Sequence, residues 1–490
     1  MKLSLDEKKQ NKVFWAAFVT LLLVFLCYLL YGSTEKEFWY DEMAMVGFVC
    51  GDTTLPELLH TYLTYEASNL PLYAVLLWPF YHYLPAYETC LLLLSIVLTL
   101  GGTLFLGLFA RKRYGRIAAL MIVVLSICSK TVCNRIGLEL RAYSLMYFGA
   151  AMTLYLLLLL HEKATKMRYV FTTIAMLFLL FSHYFGVLLF ALLGAGGVLL
   201  VFLKKKKFRF LIPFFVSGGL FVPWFVATRL MTSVTAENFW IPRPAFRDLA
   251  ETVAYLLGGN LLLTVCFGAA WILLFVIVVK DRRWLSVETA LLTVPVLLLG
   301  VVFVYSRYLS RGGGLYENRY FIAALPMLLL TIAAAVQKSL QWNSDKKWLL
   351  IIPGLVLVAA LAWGADRARI DMVCQMRDAS DPSHYMITQG DADDADVRIV
   401  ALSYDIIGDY RARGWGDFYL VRQGGIQHEI TYTLQADQEE RCEQFAEEGV
   451  RRIYLMADKD YYEYEGTDYR VTEPEDVNRL LVFDRVIPAD

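Results

Sequence analysis

What most constrains this chain is a series of long apolar runs separated by short basic gaps. A run of roughly 20 apolar residues matches the thickness of a bilayer core, and in lipid every backbone polar group must be satisfied within its own segment, so such runs cross as helices. Composition agrees: of 490 residues 58% are hydrophobic and 19% charged, and mean hydropathy is +0.48. That balance excludes an ordinary water-soluble globule and predicts a polytopic α-helical membrane protein with some soluble mass attached.

Crossings are expected over 13–31, 89–110, 117–132, 143–160, 169–183, 185–203, 210–228, 261–280, 286–305, 320–336 and 348–364, about eleven in all. The first follows KKQNK and has no small-residue cleavage site, so it reads as a retained helix. Basic residues collect in RKRYGR (111–116), HEKATKMR (161–168), KKKKFR (204–209), KDRR (280–283) and QKSLQWNSDKK (337–347). The positive-inside rule puts these gaps and the N-terminus in the cytoplasm. The same rule decides the segment 70–84, which is apolar but short and carries Pro71, Pro79 and His82. A crossing there would turn every later basic gap to the wrong side, so it is expected as a helix lying along the outer surface.

Two domains follow: a transmembrane domain over 1–365 with a first outer loop at 32–88, and a soluble extracytoplasmic α/β domain over 366–490. In the second, RIVALSY, GDFYLV, HEITYTL and RRIYLM read as strands and QADQEERCEQFAEEG as an amphipathic helix. The acidic DADDAD run (391–396) lacks an EF-hand's glycine and distal glutamate and reads as a solvated turn rather than a calcium loop. Most of the eight cysteines lie inside apolar runs without zinc-like spacing, as small packing residues do. With 46 basic and 47 acidic residues, the charge balance offers nothing to a nucleic acid.

With this topology the polar residues gather at outer helix ends. Asp41 and Glu42 stand in EFWYDEMAMVG (37–47), and two carboxylates bracketed by aromatics at a membrane edge are by default a site. Arg135, Glu139, Arg141, His183, Tyr184, Arg229, Glu237, Arg243, Arg307, Arg311, Glu317, Arg319 and Tyr320 share that side. A lone boundary arginine can simply snorkel. Arg135, Arg141 and Arg319, however, each adjoin the lip of a short or interrupted crossing and run against the cytoplasmic bias of basic residues, so together they suit an anionic headgroup. A guanidinium fork matches a phosphate better than an ammonium does. His183 reads equally as a structural histidine at a helix break, and glycines 312–314 as a hinge. No P-loop, H-E-x-x-H or G-x-S-x-G occurs, which weakens ATPase, metalloprotease and serine-hydrolase readings.

Five stretches then occur in order: WYDE (39–42), NLPLYAVLL (69–77), RIGLELRAYSL (135–145), HYFG (183–186) and ENRYFIAALP (317–326). In this order they resemble the C-type membrane glycosyltransferases of the protein O-mannosyltransferase and aminoarabinose-transferase group, glycosyltransferase family 39, across residues 13–340. The resemblance implies a polyprenyl-phosphate sugar donor, with a hexose or pentose moved under inversion to a hydroxyl of a protein, lipid or cell-wall glycan outside the plasma membrane. Asp41, at the first acid of the group's D-E pair, would be the general base, with Glu42 a supporting or metal-binding partner or simply a solvated neighbour. Arg135, Arg141, Arg319 and Tyr320 would hold the donor phosphate, and Asn69, Tyr73, Glu139, His183, Tyr184 and Glu317 would line the substrate cavity. No nucleotide diphosphate leaves, so the bond changes require no metal, although a divalent cation is compatible with them. The group commonly has His-Pro-Pro where this chain reads Asn69-Leu70-Pro71, and an asparagine can hydrogen-bond there but not act as acid or base. The alternatives are a transporter or flippase of lipid-linked saccharides and a polysaccharide polymerase or ligase. One-sided charge argues against alternating access, which calls for polar residues near mid-membrane.

Overall fold

The structure, a computed structural model, describes residues 5–486 except 52, 65–69, 232–240, 311–313, 342–350, 374–380, 404–405, 428–429, 435–436, 457–466, 475–476 and 478–479. In chain order its helices begin with α1 (Leu5–Thr34), α2 (Tyr40–Val49), α3 (Leu55–Thr64), α4 (Leu72–Tyr83) and α5 (Glu88–Arg113). They continue with α6 (Arg116–Ile127), α7 (Tyr143–Glu162), α8 (Lys166–Leu180), α9 (Tyr184–Phe202) and α10 (Ile212–Met231). Then come α11 (Phe246–Leu256), α12 (Leu261–Lys280), α13 (Val287–Val304), α14 (Leu325–Leu340) and α15 (Ile351–Val373).

Among the described residues, 8 helical stretches are long and apolar enough to cross a membrane, and up to 9 if α6 and the π-helical turn Thr131–Gly137, bent from it by 68°, make one span. The two further expected crossings coincide with α8, of 15 residues, and α15, of 23. At 12 residues α4 is too short to span, as its prolines and length predict. This is a multi-span membrane protein.

Local chemistry sets the helix ends. The side chain of Asn260 accepts the Leu263 N–H at 3.0 Å to start α12, and its amide donates to Ala360 O at 2.6 Å, which ties that start to α15. Ser286 caps α13 by accepting the Thr289 N–H at 3.2 Å. Gly115, at φ 132°, makes the reversal between α5 and α6, a conformation strained for any residue with a Cβ. Close by, Arg113 grips Glu288 through one nitrogen at 2.9 and 3.0 Å.

The chain divides into two compact units. One comprises Met1–Ser33, Ala67–Tyr73 and Leu93–Cys374. Its most enclosed element is α14, in which Leu325 to Ala335 are buried throughout, as expected of a helix apolar on all sides.

The other unit comprises Thr34–Glu66, Ala74–Leu92 and Gln375–Asp490, so most of the segment between α1 and α5 folds with the chain after 375. It contains α16 (Asp381–Gln389), β1 (Val397–Ser403), α17 (Ile406–Trp415), β2 (Ile430–Leu434), α18 (Gln438–Glu447), β3 (Arg452–Met456), β4 (Tyr469–Thr472) and β5 (Leu480–Arg485). The sheet order is β2-β1-β3-β5-β4, with β1 parallel to β2 and β3, and β5 antiparallel to β3 and β4. From α18, Phe445 and Ala446 pack on Val400, Ile453, Leu455, Leu481 and Phe483. GDFYLV, expected as a strand, is instead the π-helical turn Gly416–Gln423 that continues α17. Phe418, Tyr419 and Leu420 are all buried there, and a short apolar run enclosed on every side leaves no alternation from which to read its period. Strands β4 and β5 were not expected. The acidic run is an exposed turn over 393–396, as expected, and it is pinned by arginines: Asp391, Asp394 and Asp396 meet Arg451, and the more covered Asp391 also pairs with Arg452 at 2.9 Å.

Candidate functional site

Asp41 and Glu42 lie in the first turn of α2, where carboxylates complement the positive end of the helix. Their circumstances differ. Glu42 is fully buried: one oxygen accepts Lys36 Nζ at 2.6 Å and the Trp39 N–H at 2.9 Å. It closes the first turn of α2 and neutralises a buried lysine, so it is not a solvated neighbour of Asp41. Asp41 keeps 17% of its side chain exposed, and a guanidinium nitrogen of Arg411 on α17 stands 3.7 Å from its Oδ1. Within this unit, α2 is held to α17 at very short range. A Cβ on Gly47 would meet the Tyr410 carbonyl, and one on Gly414 would lie 2.3 Å from Met43 O. Tyr419 accepts the Phe38 N–H at 3.0 Å, and the Phe48 and Tyr410 rings stand 4.8 Å apart.

The arginines gather in the first unit. Arg135 opens the RIGLELR stretch within the π-helical turn Thr131–Gly137, with its Nη1 3.6 Å from Glu139. Glu139 is buried, its carbonyl accepts Ser95 Oγ at 2.9 Å, and Ser95 in turn meets the Tyr73 hydroxyl at 2.7 Å. Tyr73 therefore supports the backbone of the motif from behind. Arg141, only 9% exposed, lies with its guanidinium carbon 5.5 Å from the Tyr143 ring centre, and the buried Tyr143 hydroxyl has no hydrogen-bond partner among the described residues. His183 caps α9 by accepting the Phe185 N–H at Nδ1, which assigns its proton to Nε2 and leaves the ring neutral. Its ring lies 4.9 Å from Tyr320 and 6.2 Å from Tyr143, within the field of both Arg141 and Arg319.

Arg319 and Tyr320 belong to the 3-10 turn Asn318–Ala324 that leads into α14. The Arg319 side chain is 15% exposed, with Nε 3.8 Å from Glu317. Tyr255 on α11 sits in the field of Arg135, Glu139, Arg319 and Glu317; burial pushes its phenol up to about 12, so at neutral pH it is a hydrogen-bond donor. Among the described residues, three guanidiniums are thus gathered with two carboxylates, a tyrosine cluster and a neutral imidazole, and guanidinium forks match an anionic headgroup.

Other expected residues go elsewhere. Tyr184 turns away from His183 to pack with Phe181, Phe221 and Trp224, its ring 5.8 Å from the Arg229 guanidinium. Arg243 and Arg307 hold the carbonyls of Ser310 and Pro244. Asn69, Glu237, Arg311 and glycines 312 and 313 lie outside the described residues. Among the described residues no group of three or more His, Cys, Asp or Glu is set to hold a metal ion. Sequence reasoning missed Tyr143, although it sits inside the RAYS motif, and Arg411, whose GDYRARGW surroundings carry no signal of their own.

No protein-family model matches the chain, and neither does any curated protein. Solved structures do. ArnT from Cupriavidus metallidurans in the apo state superposes with a TM-score of 0.59 over 97% of this chain and 98% of its own, at 13% sequence identity. The same protein bound to undecaprenyl phosphate superposes at 0.58 over 96% and 98%, also at 13% identity. The chain has the fold of ArnT, the C-type membrane architecture of the group that its ordered motifs resemble.

Proposed function

We propose that this protein transfers a sugar, a hexose or pentose, from a polyprenyl-phosphate donor to an acceptor hydroxyl on the outer face of the plasma membrane. The observation that carries the reading is the gathering of Arg135, Arg141 and Arg319 with Tyr143, Tyr255 and Tyr320, whose guanidinium forks and phenols suit a lipid phosphate. That ArnT, a protein of the same fold, was crystallised with undecaprenyl phosphate supports it. So does the order of the five motifs.

The chemistry has two demands. A hydroxyl is a poor nucleophile at neutral pH, so a carboxylate must take its proton as its oxygen bonds to the anomeric carbon; Asp41 is assigned that role. As that bond forms, the bond from the anomeric carbon to the phosphate oxygen breaks on the opposite side, which inverts the centre. The polyprenyl phosphate leaves with growing negative charge, which Arg141 and Arg319 stabilise, with Arg135, Tyr143 and Tyr320 as further donors. No step requires a metal. Glu42 shapes the turn that presents Asp41. The N-terminus is assigned to the cytoplasm and the chain after 375 to the outside.

The test uses purified full chain in nanodiscs and a panel of labelled decaprenyl-phosphate hexoses and pentoses. Wild type is expected to release or transfer the sugar, slowly to water when no acceptor is added. Asp41→Asn is expected to lower turnover by about a hundredfold or more. Turnover undiminished by that change removes Asp41 from the role of base.

A further inference from the structure

The chain after 375 has no role in the chemistry just described, yet it supplies the helix against which α2 is packed. Three independent features make that contact close and directional. The first is steric. Gly47 and Gly414 bring the two helices together at backbone distance: a Cβ on Gly414 would stand 2.3 Å from Met43 O and 2.6 Å from Gly47 N, with no flexible side chain there to yield. The second is the ring and hydroxyl contacts at both ends of α2. Tyr419 accepts the Phe38 N–H at 3.0 Å just before the helix, while the Phe48 and Tyr410 rings meet at its far end. The third is electrostatic. Between these ends, Arg411 approaches the Asp41 carboxylate to 3.7 Å, with both side chains about four-fifths removed from solvent (20% and 17% exposed).

A carboxylate in the first turn of a helix has a rotatable side chain on a backbone that would otherwise fray. The glycine pair fixes the backbone, and a guanidinium fork limits the side chain. We propose that α17 is a positioning element for the transfer reaction, with Arg411 the positioning residue that holds the Asp41 carboxylate. This rests on the reading of Asp41 as the base. At 3.7 Å the pair is an ion contact and not a hydrogen bond, so Arg411 orients the carboxylate through its charge.

The experiment measures kcat and donor KM for Arg411→Met, Arg411→Lys, Gly414→Ala and Asp41→Asn, and for Arg411→Met combined with Asp41→Asn. Full chain in nanodiscs is used, with whichever decaprenyl-phosphate sugar of the panel wild type turns over fastest. Arg411→Met is expected to lower kcat about 10- to 100-fold, the loss that follows a misplaced reacting group, with KM changed less than about twofold. Arg411→Lys recovers part of that loss because it keeps the charge and gives up the fork. Gly414→Ala, which displaces α2 without touching a charge, lowers kcat in the same way. Added to Asp41→Asn, Arg411→Met costs less than about twofold more, since nothing is left to position. Losses that multiply in the double variant, or Arg411→Met at wild-type kcat while Asp41→Asn is inactive, overturn the positioning role and leave the function reading intact. Wild type inert toward every donor, or indifferent to Asp41→Asn, overturns both.

Discussion

Glu42 sets a carboxylate where no water reaches it, which is tolerable only because Lys36 and the Trp39 N–H are there to meet it. Removing one partner of such a pair costs far more than removing both, because it strands the other charge. Glu42→Leu is therefore expected to lower stability by about 3 kcal/mol or more, and Lys36→Met combined with Glu42→Leu to restore a large part of it, read as the midpoint of thermal unfolding in detergent. If the double variant melts below the single one, the pair is not what Glu42 contributes. The acidic dipeptide stood out in the sequence as a candidate site, but the different surroundings of its two carboxylates did not. Adjacent residues on a helix point about 100° apart, and which of them faces the interior depends on α17, from a part of the chain the motifs do not cover.

Helices were legible wherever hydrophobicity ran long enough to meet a bilayer's thickness, and each of the expected crossings coincides with one. Short elements were harder. GDFYLV has the composition of a strand, yet the π-helical turn Gly416–Gln423 buries Phe418, Tyr419 and Leu420 in succession. The VNRLLVFDRV stretch yields β5, whose burial is unbroken from Leu480 to Phe483 and therefore carries no period-two signature. Phe483 is central to that core, between Ile453 on β3 and Val471 on β4. Phe483→Ala is expected to destabilise the sheet by about 3–5 kcal/mol. Limited proteolysis should then cleave within 397–485 far sooner than in wild type, and unchanged protection would place the core elsewhere.

For the molecule as a whole, orientation follows from the side on which the basic gaps lie. With Lys112→Cys or Ala395→Cys, both at exposed positions, a membrane-impermeant maleimide is expected to label residue 395 on intact cells and residue 112 only after permeabilisation. Labelling of residue 112 on intact cells would mean that α4 crosses after all. The cationic cluster was legible to the extent that its arginines broke the charge rule; Tyr143 and Tyr255 were not, because a tyrosine among apolar residues looks like packing until its neighbours in space are known. The division of the chain into units also bears on how it is made. Phe38 and Tyr419, which hydrogen-bond, are separated by 381 residues. At roughly 5–20 residues per second of synthesis, that separation is on the order of 20 to 80 s. Throughout that interval α2 has been produced without its partner, so the proposed base is assembled only after the last crossing is in place. A ribosome that stops early thus leaves behind a membrane protein in which Asp41 lacks α17 and Arg411, and an incomplete copy is disarmed by its own order of synthesis.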